Sequence, residues 1–212
     1  MIAEKYRPKN FDEVVGQEKV IAAMRWYLDQ SHESGLAFLI TGPSGSGKTT
    51  LADCAAEYWG ISPHDRWRIE SAECDVARLR QLDSDMLYYG CGDGGRKLYV
   101  IDEIHTLTGR AADRLLSLLE KLPKHVLVVG TTTETDWTDG ILLSRWVRFD
   151  LQKPNSRTVA EYVERIARTE GLPMPDDPKW AEKMVKYGGL NLRDLLNQLP
   201  ARLLGGTNAV AA

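Results

Sequence analysis

The sequence contains no apolar run long enough to cross a membrane. A membrane-spanning helix needs about 20 consecutive, predominantly apolar residues, and no stretch of this 212-residue chain approaches that length. The first ten residues, MIAEKYRPKN, also lack the apolar core of a secretory signal peptide. We therefore expect a cytoplasmic protein.

Cysteine is scarce. The chain has three cysteines, Cys54, Cys74 and Cys91, which are odd in number and widely spaced. Such a set supports neither a disulfide framework nor a metal site built on paired cysteines. We therefore expect buried or incidental thiols, and we expect no bound zinc.

Positive charge is not in excess. The sequence has 27 lysines and arginines against 30 aspartates and glutamates, which gives a net charge of −3 at pH 7. A chain of this charge does not attract nucleic acid as a whole. Any contact with DNA must therefore come from a local basic surface, or from one shared across an oligomer.

The chain does contain a complete phosphate-binding motif. Residues 42–49 read GPSGSGKT and match the pattern GxxxxGK(S/T). They lie between an apolar run at Leu36 to Thr41 and a helical pattern that begins near Lys48. In this context, backbone N–H groups and the N-terminus of the helix converge on a phosphate. The motif predicts a nucleoside triphosphatase; the alternative is a Gly/Ser-rich turn that binds nothing.

Two side chains of the motif have separate expected roles. Lys48 reaches the β- and γ-phosphates, and the Thr49 hydroxyl is placed to ligate Mg²⁺. The candidate nucleotide contacts in this segment are Gly42, Pro43, Ser44, Gly45, Ser46, Gly47, Lys48, Thr49 and Thr50.

Short apolar runs alternate with helical patterns along the first part of the chain. The candidate strands are Leu36 to Thr41, Trp67 to Ser71, Lys97 to Asp102, His125 to Thr131 and Val147 to Leu151. The candidate helices lie near residues 17–30, 48–59, 75–83 and 109–121. This alternation predicts an α/β fold with a central parallel sheet wrapped by helices.

Strand signals stop after Gln152, and the rest of the chain is helical in pattern. The predicted helices run from Ser156 to about Glu170, from Pro178 to Tyr187 and from Leu192 to Leu203. We divide the chain into a nucleotide-binding α/β domain at residues 1–152, a three-helix lid domain at residues 153–205 and a flexible tail at residues 206–212.

A second motif lies downstream of the phosphate-binding loop. Residues 97–105 read KLYVIDEIH, an apolar strand with two carboxylates at its C-terminal end. Ligands bind at this end of the strands in open α/β sheets. Asp102 suits the outer shell of Mg²⁺, and Glu103 is the candidate that orients and polarises the attacking water. The alternative for such an acidic pair is a solvated turn or a helix cap.

Six segments succeed one another along the chain. They are EKYRPKNFDEVVGQ (4–17), the phosphate-binding loop (42–49), DEIHTLT (102–108), LEKLPKHVLVVGTTTE (119–134), LLSRWVRFDL (142–151) and GGLNLRDLLN (188–197). Together they resemble the AAA+ ATPase subunits of DNA sliding-clamp loaders, both the bacterial motor subunit and the small subunits of replication factor C. The resemblance covers nearly all of residues 4–200.

The resemblance implies an AAA+ fold with a helical lid, and an ATP- and Mg²⁺-dependent ATPase. The implied function is to open a sliding clamp and load it onto primer-template DNA during replication. The implied partners are the clamp, other clamp-loader subunits in a pentamer-type oligomer, and DNA contacted through its backbone.

The resemblance also assigns individual residues. Those that match the segment around the adenine are Tyr6, Arg7, Pro8, Val15, Gly16 and Gln17. Thr133 matches the first sensor, a polar side chain that holds the lytic water or the γ-phosphate, and its neighbours Thr131 and Thr132 leave this position open by one residue. Arg193 matches the second sensor, which touches the γ-phosphate and couples nucleotide state to lid angle. A solvated helix arginine is the alternative for Arg193.

Arg145 matches the arginine finger that clamp loaders insert into the ATP site of a neighbouring subunit. Such a finger neutralises charge that develops on the transferred phosphoryl group. Trp146 stands where the family has a cysteine, so the packing behind the arginine must differ. A surface ion pair is the alternative role for Arg145.

Two features of the bacterial motor subunits have no counterpart in this sequence. Where those proteins carry a four-cysteine zinc module, residues 57–96 supply only Cys74 and Cys91, and no collar sequence comes after the lid. The sequence is therefore either a fragment or a compact version whose assembly relies on another chain.

The candidate DNA contacts are three arginines, Arg80, Arg110 and Arg114. Arg80 matches a basic position on an inner helix of clamp loaders, and the other two lie on the helix after the acidic pair. Such residues bind phosphates without identifying sequence. An ordinary solvated charge is the alternative for each.

Two other functions stay open. One is a different DNA-remodelling AAA+ motor, for replication restart, branch migration or helicase loading, which shares the RPK, VGQ and TTE-like elements of the first and fourth segments. The other is a non-hydrolysing module that uses ATP as structural glue. The match around Arg145 favours the clamp loader, and the retained Lys48 and Glu103 argue against a non-hydrolysing module.

Overall fold

The computed structural model describes residues 1–30, 33–107, 109–134, 144–187 and 191–205. The tail predicted at residues 206–212 lies outside these ranges. So do parts of three of the six segments, at residues 108, 142–143 and 188–190.

A parallel sheet organises the first part of the molecule. Its strands are β1 (Leu36–Thr41), β2 (Arg66–Glu70), β3 (Lys97–Asp102), β4 (Val126–Thr132) and β5 (Val147–Asp150). Their order in the sheet is β2-β3-β4-β1-β5, and every pair is parallel. The three inner strands are almost entirely buried, as their continuous apolar sequences require. Each predicted strand is present within one residue at either end, so the predicted fold class is confirmed.

Helices cover the sheet and build the lid. Those in the described ranges are α1 (Ile2–Lys5), α2 (Glu18–Asp29), α3 (Lys48–Tyr58), α4 (Val76–Met86), α5 (Arg110–Leu119), α6 (Ser156–Thr169), α7 (Trp180–Tyr187) and α8 (Leu192–Leu204). α4 continues three residues past the predicted end at residue 83, because Leu79, Leu82 and Met86 share one buried face. None of these helices is long and apolar enough to span a membrane.

The sheet carries a hydrophobic core on each face. On one face, Phe38 and Ile40 of β1 pack with Leu51 of α3. On the other face, Leu39 packs with Leu115 of α5. Alternate residues of β1 point to opposite faces, so this strand is fixed from both sides. The loop that leaves β1 is thereby held at the carboxyl edge of the sheet.

The lid has a core of its own, and the N-terminal segment joins it. Ile2 and Tyr6 pack against the buried face of the lid helices. The Ala3 backbone N–H donates to Asn197 Oδ1 at 3.1 Å, and the Tyr162 hydroxyl donates to the Tyr6 carbonyl at 2.9 Å. The sequence-based division places residues 1–17 with the α/β domain, whereas the structure packs their first half on the lid. We call residues 1–17 the N-terminal arm.

Candidate functional site

The phosphate-binding loop leaves β1 at Thr41 and enters α3 at Lys48. Gly45 has φ 74°, in the left-handed region that favours glycine. A Cβ atom there would also lie 2.5 Å from Cγ of Asn191, the residue that precedes α8. Position 45 therefore needs glycine for its backbone and for the close approach of the lid.

Lys48 lies beneath this loop and is 8% exposed. Its Nζ donates to the carbonyl oxygens of Gly42 at 2.9 Å and Pro43 at 3.3 Å. The pKa of Lys48 is lowered, chiefly by burial. The negative charges of Glu103 and Asp102 oppose this shift, and the positive charge of Arg193 adds to it. The ammonium group thus lies in the field of the acidic pair and of the lid arginine. Three separately predicted features are brought together around it.

A cavity of about 620 Å³ opens above the loop. This volume is within the range typical of small-molecule sites. The arm, the loop and the lid each contribute to its lining. The predicted nucleotide contacts among the lining residues are Tyr6, Arg7, Pro8, Val15, Gln17, Pro43, Ser44, Gly45, Ser46, Gly47, Thr50 and Arg193.

The other predicted contacts have different positions. Gly16, Gly42, Lys48 and Thr49 are not part of the lining. Gly16 has φ 77°, and a Cβ atom there would lie 2.7 Å from Cβ of Pro154. Gly16 therefore permits a close approach between the arm and the start of the lid. The lining also includes lid residues that the sequence did not single out, among them Tyr162, Asn191 and Leu196.

The acidic pair lies at the end of β3, beside β4. Asp102 Oδ1 accepts from the Thr131 hydroxyl at 2.8 Å, and its Oδ2 lies 3.8 Å from Nε of Arg68. Glu103 has φ 52°, and it is the one non-glycine residue with positive φ in the described part of the chain. Its carbonyl oxygen accepts from Ser71 Oγ at 2.7 Å. Strained backbone of this kind is concentrated at functional sites.

Three successive threonines at and just after the end of β4 make different contacts. Thr131 is buried and bonds Asp102. Thr132 is also buried, and its hydroxyl accepts from the Glu134 N–H at 3.0 Å. The Thr133 hydroxyl donates to Glu103 Oε2 at 3.1 Å. Thr133, the position expected for the first sensor, thus contacts the carboxylate expected to hold the water.

The residues present are chemically suited to Mg²⁺ and a phosphate chain. The Thr49 hydroxyl is an oxygen ligand of the kind that Mg²⁺ prefers, and the Asp102 carboxylate suits its outer shell, with phosphates and water completing the coordination. Ser46 Oγ is buried in the loop without a hydrogen-bond partner, a state that costs about 1–3 kcal/mol. Rotation of this side chain toward a bound phosphate would give the hydroxyl a partner.

No group of three or more His, Cys, Asp or Glu suited to a metal occurs within the described ranges. Cys54 and Cys74 are buried, and burial raises the pKa of their thiols to about 12 and about 11. The expected absence of zinc stays a prediction that elemental analysis can test.

Arg145 lies apart from this cavity. It is not among the lining residues, its side chain is 44% exposed, and its Nη2 lies 2.8 Å from Glu120 Oε1 at the end of α5. The neighbouring Trp146 is buried against the sheet, where a Cβ atom on Gly130 would lie 3.2 Å from its ring. The absence of a side chain at Gly130 makes room for the tryptophan behind Arg145.

The three arginines proposed to contact DNA are not equivalent. Arg80 and Arg110 are exposed. Arg114 is 27% exposed and forms an ion pair with Asp83, which joins α5 to α4. Its charge is therefore already partnered within the chain, whereas Arg80 and Arg110 present theirs to solvent.

A phosphate-binding loop at the carboxyl edge of a parallel sheet, beside an acidic pair and under a helical lid, defines a P-loop nucleotide-binding protein. Residues 38–155 match the family described as "ATPase family associated with various cellular activities (AAA)". The chain therefore belongs to the AAA family of ATPases, and the predicted AAA+ ATPase class is confirmed.

Similar curated proteins include bacterial DNA polymerase III subunits. The chain is 29% identical to the subunit gamma/tau of Mycobacterium tuberculosis (strain ATCC 25618 / H37Rv), over 96% of this chain and 39% of the relative. It is 27% identical to the subunit tau of Escherichia coli (strain K12), over 100% of this chain and 36% of the relative. The chain thus spans less than half the length of these two relatives.

Solved structures of similar shape include the Thermotoga maritima RuvB Holliday junction branch migration motor. The TM-score is 0.74 at 23% identity, over 92% of this chain and 64% of that one. At this identity the likeness shows the fold alone.

Proposed function

We propose that this chain binds and hydrolyses ATP with Mg²⁺ as a subunit of a DNA sliding-clamp loader. The observation that carries the nucleotide part is the cavity of about 620 Å³, in which the arm, the loop and Arg193 meet above the buried Lys48. The clamp-loader part is supported by the relatives named DNA polymerase III gamma/tau and tau, which match nearly the whole of this chain.

Different residues of the site would bind the base, the phosphates and Mg²⁺. The arm, through Tyr6 and Val15, would surround the base, and the loop N–H groups would hold the phosphates. Lys48 would exchange its two loop carbonyls for phosphate oxygens. Thr49 and Asp102 would hold Mg²⁺, which neutralises charge on the phosphate oxygens when it is bound.

Glu103 would accept a hydrogen bond from the attacking water, and Thr133 would restrain that carboxylate. Arg193 would contact the γ-phosphate from the lid, so that closure depends on the nucleotide. Arg145 would serve the site of a neighbouring subunit, because it lies outside the lining of its own cavity. ATP binding would then hold a clamp open around primer-template DNA, and hydrolysis would reset the assembly.

The same proposal assigns partner contacts. Arg80 and Arg110 are exposed cations available to a DNA backbone. An apolar run at the end of α4 is also exposed, with Leu87 at 70%, Tyr88 at 71% and Tyr89 at 63%. Exposed apolar patches mark protein–protein contacts. We place the clamp or another subunit against this run.

The second candidate is a branch-migration or other DNA-remodelling motor, which the RuvB-like fold supports. The two functions differ in the nucleic acid that activates turnover. We expect ATP turnover by this chain with its co-purified partners to rise on adding a sliding clamp and primed DNA together, and much less on adding a four-way junction. Stimulation by the junction alone would favour the second candidate. No turnover with either substrate, despite normal ATP binding, would favour the non-hydrolysing module.

A further inference from the structure

His105 lies two residues after Glu103, on a short turn of 3-10 helix at Ile104–Thr106. Its side chain is 17% exposed. A partly buried histidine in such a turn is often only a packing residue. Its contacts are instead polar, and they are made with the end of β4 and with Glu103.

The imidazole has polar neighbours at both ring nitrogens, and a hydrogen-bond distance to one of them. Nδ1 lies 2.9 Å from Thr132 Oγ1 and 3.4 Å from Glu103 Oε2. Nε2 lies 3.7 Å from Glu134 Oε1. Because Thr132 is fully buried at the end of β4, the ring is anchored to the rigid part of the sheet.

Glu103 needs such a restraint. Its side chain is 40% exposed, so solvent alone would leave the carboxylate several rotamers. Thr133 donates to Oε2 from its hydroxyl at 3.1 Å and from its backbone N–H at 3.3 Å, and His105 Nδ1 lies 3.4 Å from the same oxygen. A catalytic carboxylate is effective only when it is held close to the productive geometry.

We propose that His105 is a positioning residue for Glu103. It holds the Glu103 carboxylate beside the end of β4, in the orientation in which this carboxylate accepts a hydrogen bond from the attacking water. This inference rests on the proposed hydrolysis of ATP at this site. It assigns a role to a residue that the sequence motif leaves without one. The ring acts through Glu103 and needs no contact with the nucleotide.

The test compares three substitutions of His105 in the full chain. His105→Asn places an amide nitrogen near the position of Nδ1, whereas His105→Gln extends to the position of Nε2, which faces Glu134. We expect His105→Ala and His105→Gln to lower single-turnover hydrolysis by on the order of ten- to a hundredfold. His105→Asn should restore most of the rate. ATP affinity, measured by calorimetry, should change by less than about twofold in all three, as expected of a group that acts only on the chemical step.

Two controls separate positioning from folding. His125 is the matched histidine at the other end of β4, where it stacks on Tyr89, so His125→Asn should leave the rate unchanged. In a Glu103→Gln background, His105→Ala should add less than about a twofold loss, because residues that act as one unit are not additive. Equal rates for His105→Ala and wild type, or full additivity with Glu103→Gln, would overturn the proposal.

NMR tests the contact between His105 and Glu103 without measuring turnover, so it applies even if the isolated chain hydrolyses ATP too slowly for kinetic comparison. The imidazole C–H signals of His105 in an NMR spectrum should move on Glu103→Gln, while those of His125 should not. Unmoved His105 signals would overturn the contact itself. Full turnover by Glu103→Gln would contradict the proposed function itself, and the role of His105 with it. If Glu103→Gln loses turnover and the His105 variants do not, only the inference about His105 fails.

Discussion

The nucleotide cavity and the surface around Arg145 differ in how completely this chain supplies them. In the cavity, residues from the arm, the loop and the lid line one volume above a buried lysine. On the Arg145 surface, one arginine is paired with Glu120, and both side chains are nearly half exposed. Exposed ion pairs of this kind contribute only about 0–1 kcal/mol. One chain therefore supplies the lining of the nucleotide cavity. Arg145, by contrast, can leave Glu120 for another partner at a small cost in free energy.

The largest expected effect comes from the centre of the cavity. Lys48→Ala removes charge-assisted contacts to the phosphates, each worth about 1.5–3 kcal/mol. Loss of two such contacts weakens ATP binding by on the order of a hundredfold or more. Glu103→Gln should keep ATP affinity and lower turnover by about 10²- to 10³-fold, because it changes only stabilisation of the transition state. A calorimetric titration that gives wild type and Lys48→Ala the same affinity would remove the nucleotide assignment.

The next largest effect concerns the surface around Arg145. If Arg145 serves a neighbouring site, turnover should rise more steeply than linearly with protein concentration. Arg145→Ala should abolish that rise, a loss on the order of 10³-fold in the assembled state, while ATP affinity stays nearly intact. The matched control is Arg157→Ala, which removes another exposed arginine paired with a glutamate, Glu161.

Mixing variants sharpens this test. Arg145→Ala and Lys48→Ala each lack a different half of a shared site, so a mixed oligomer contains some complete sites. We expect the mixture to recover activity that neither variant has alone. If mixed oligomers are shown to form and no activity returns, Arg145 is not a finger between these subunits.

The difference between local patterns and long-range contacts explains what the sequence could predict. The phosphate-binding loop and the buried strands were predictable, because the motif and the apolar runs are local and the strands are buried on both faces. Glu103 was named from the end of its strand and Thr133 from the family resemblance, and parallel strands bring such ends to one edge of the sheet.

The contacts that were missed join distant parts of the chain. The packing of the arm on the lid depends on Ala3 and Asn197, and the partner of Arg114 is Asp83 on another helix. No periodicity in either segment encodes such pairs. His105 was visible in the motif, but its role depends on Thr132 and Glu103 meeting at one ring nitrogen, which only the folded geometry shows.

The smallest expected effect tests how firmly the arm closes the cavity. Glu170 at the end of α6 accepts from Lys5 Nζ at 2.6 Å and from the Tyr6 hydroxyl at 2.5 Å, and Tyr6 lines the cavity. These hydrogen bonds, first from Lys5 and then from Tyr6, lower the pKa of Glu170. A lowered folded-state pKa means that the contact stabilises the fold above the unfolded value of about 4.3. That stabilisation is lost as the pH falls through the lower folded value.

Glu170→Gln should therefore weaken ATP affinity by a few-fold at pH 7, because Tyr6 is then less firmly held against the lid. Thermal unfolding of wild type and of this variant should converge as the pH falls from about 4.3 through the lower folded-state pKa of Glu170, where the folded carboxylate becomes protonated. Glu161→Gln, on the exposed face of the same helix, is the matched control and should leave ATP affinity unchanged. An affinity that is insensitive to Glu170→Gln would mean that the arm stays closed through its apolar contacts with the lid, and that the cavity is more rigid than this ion pair suggests.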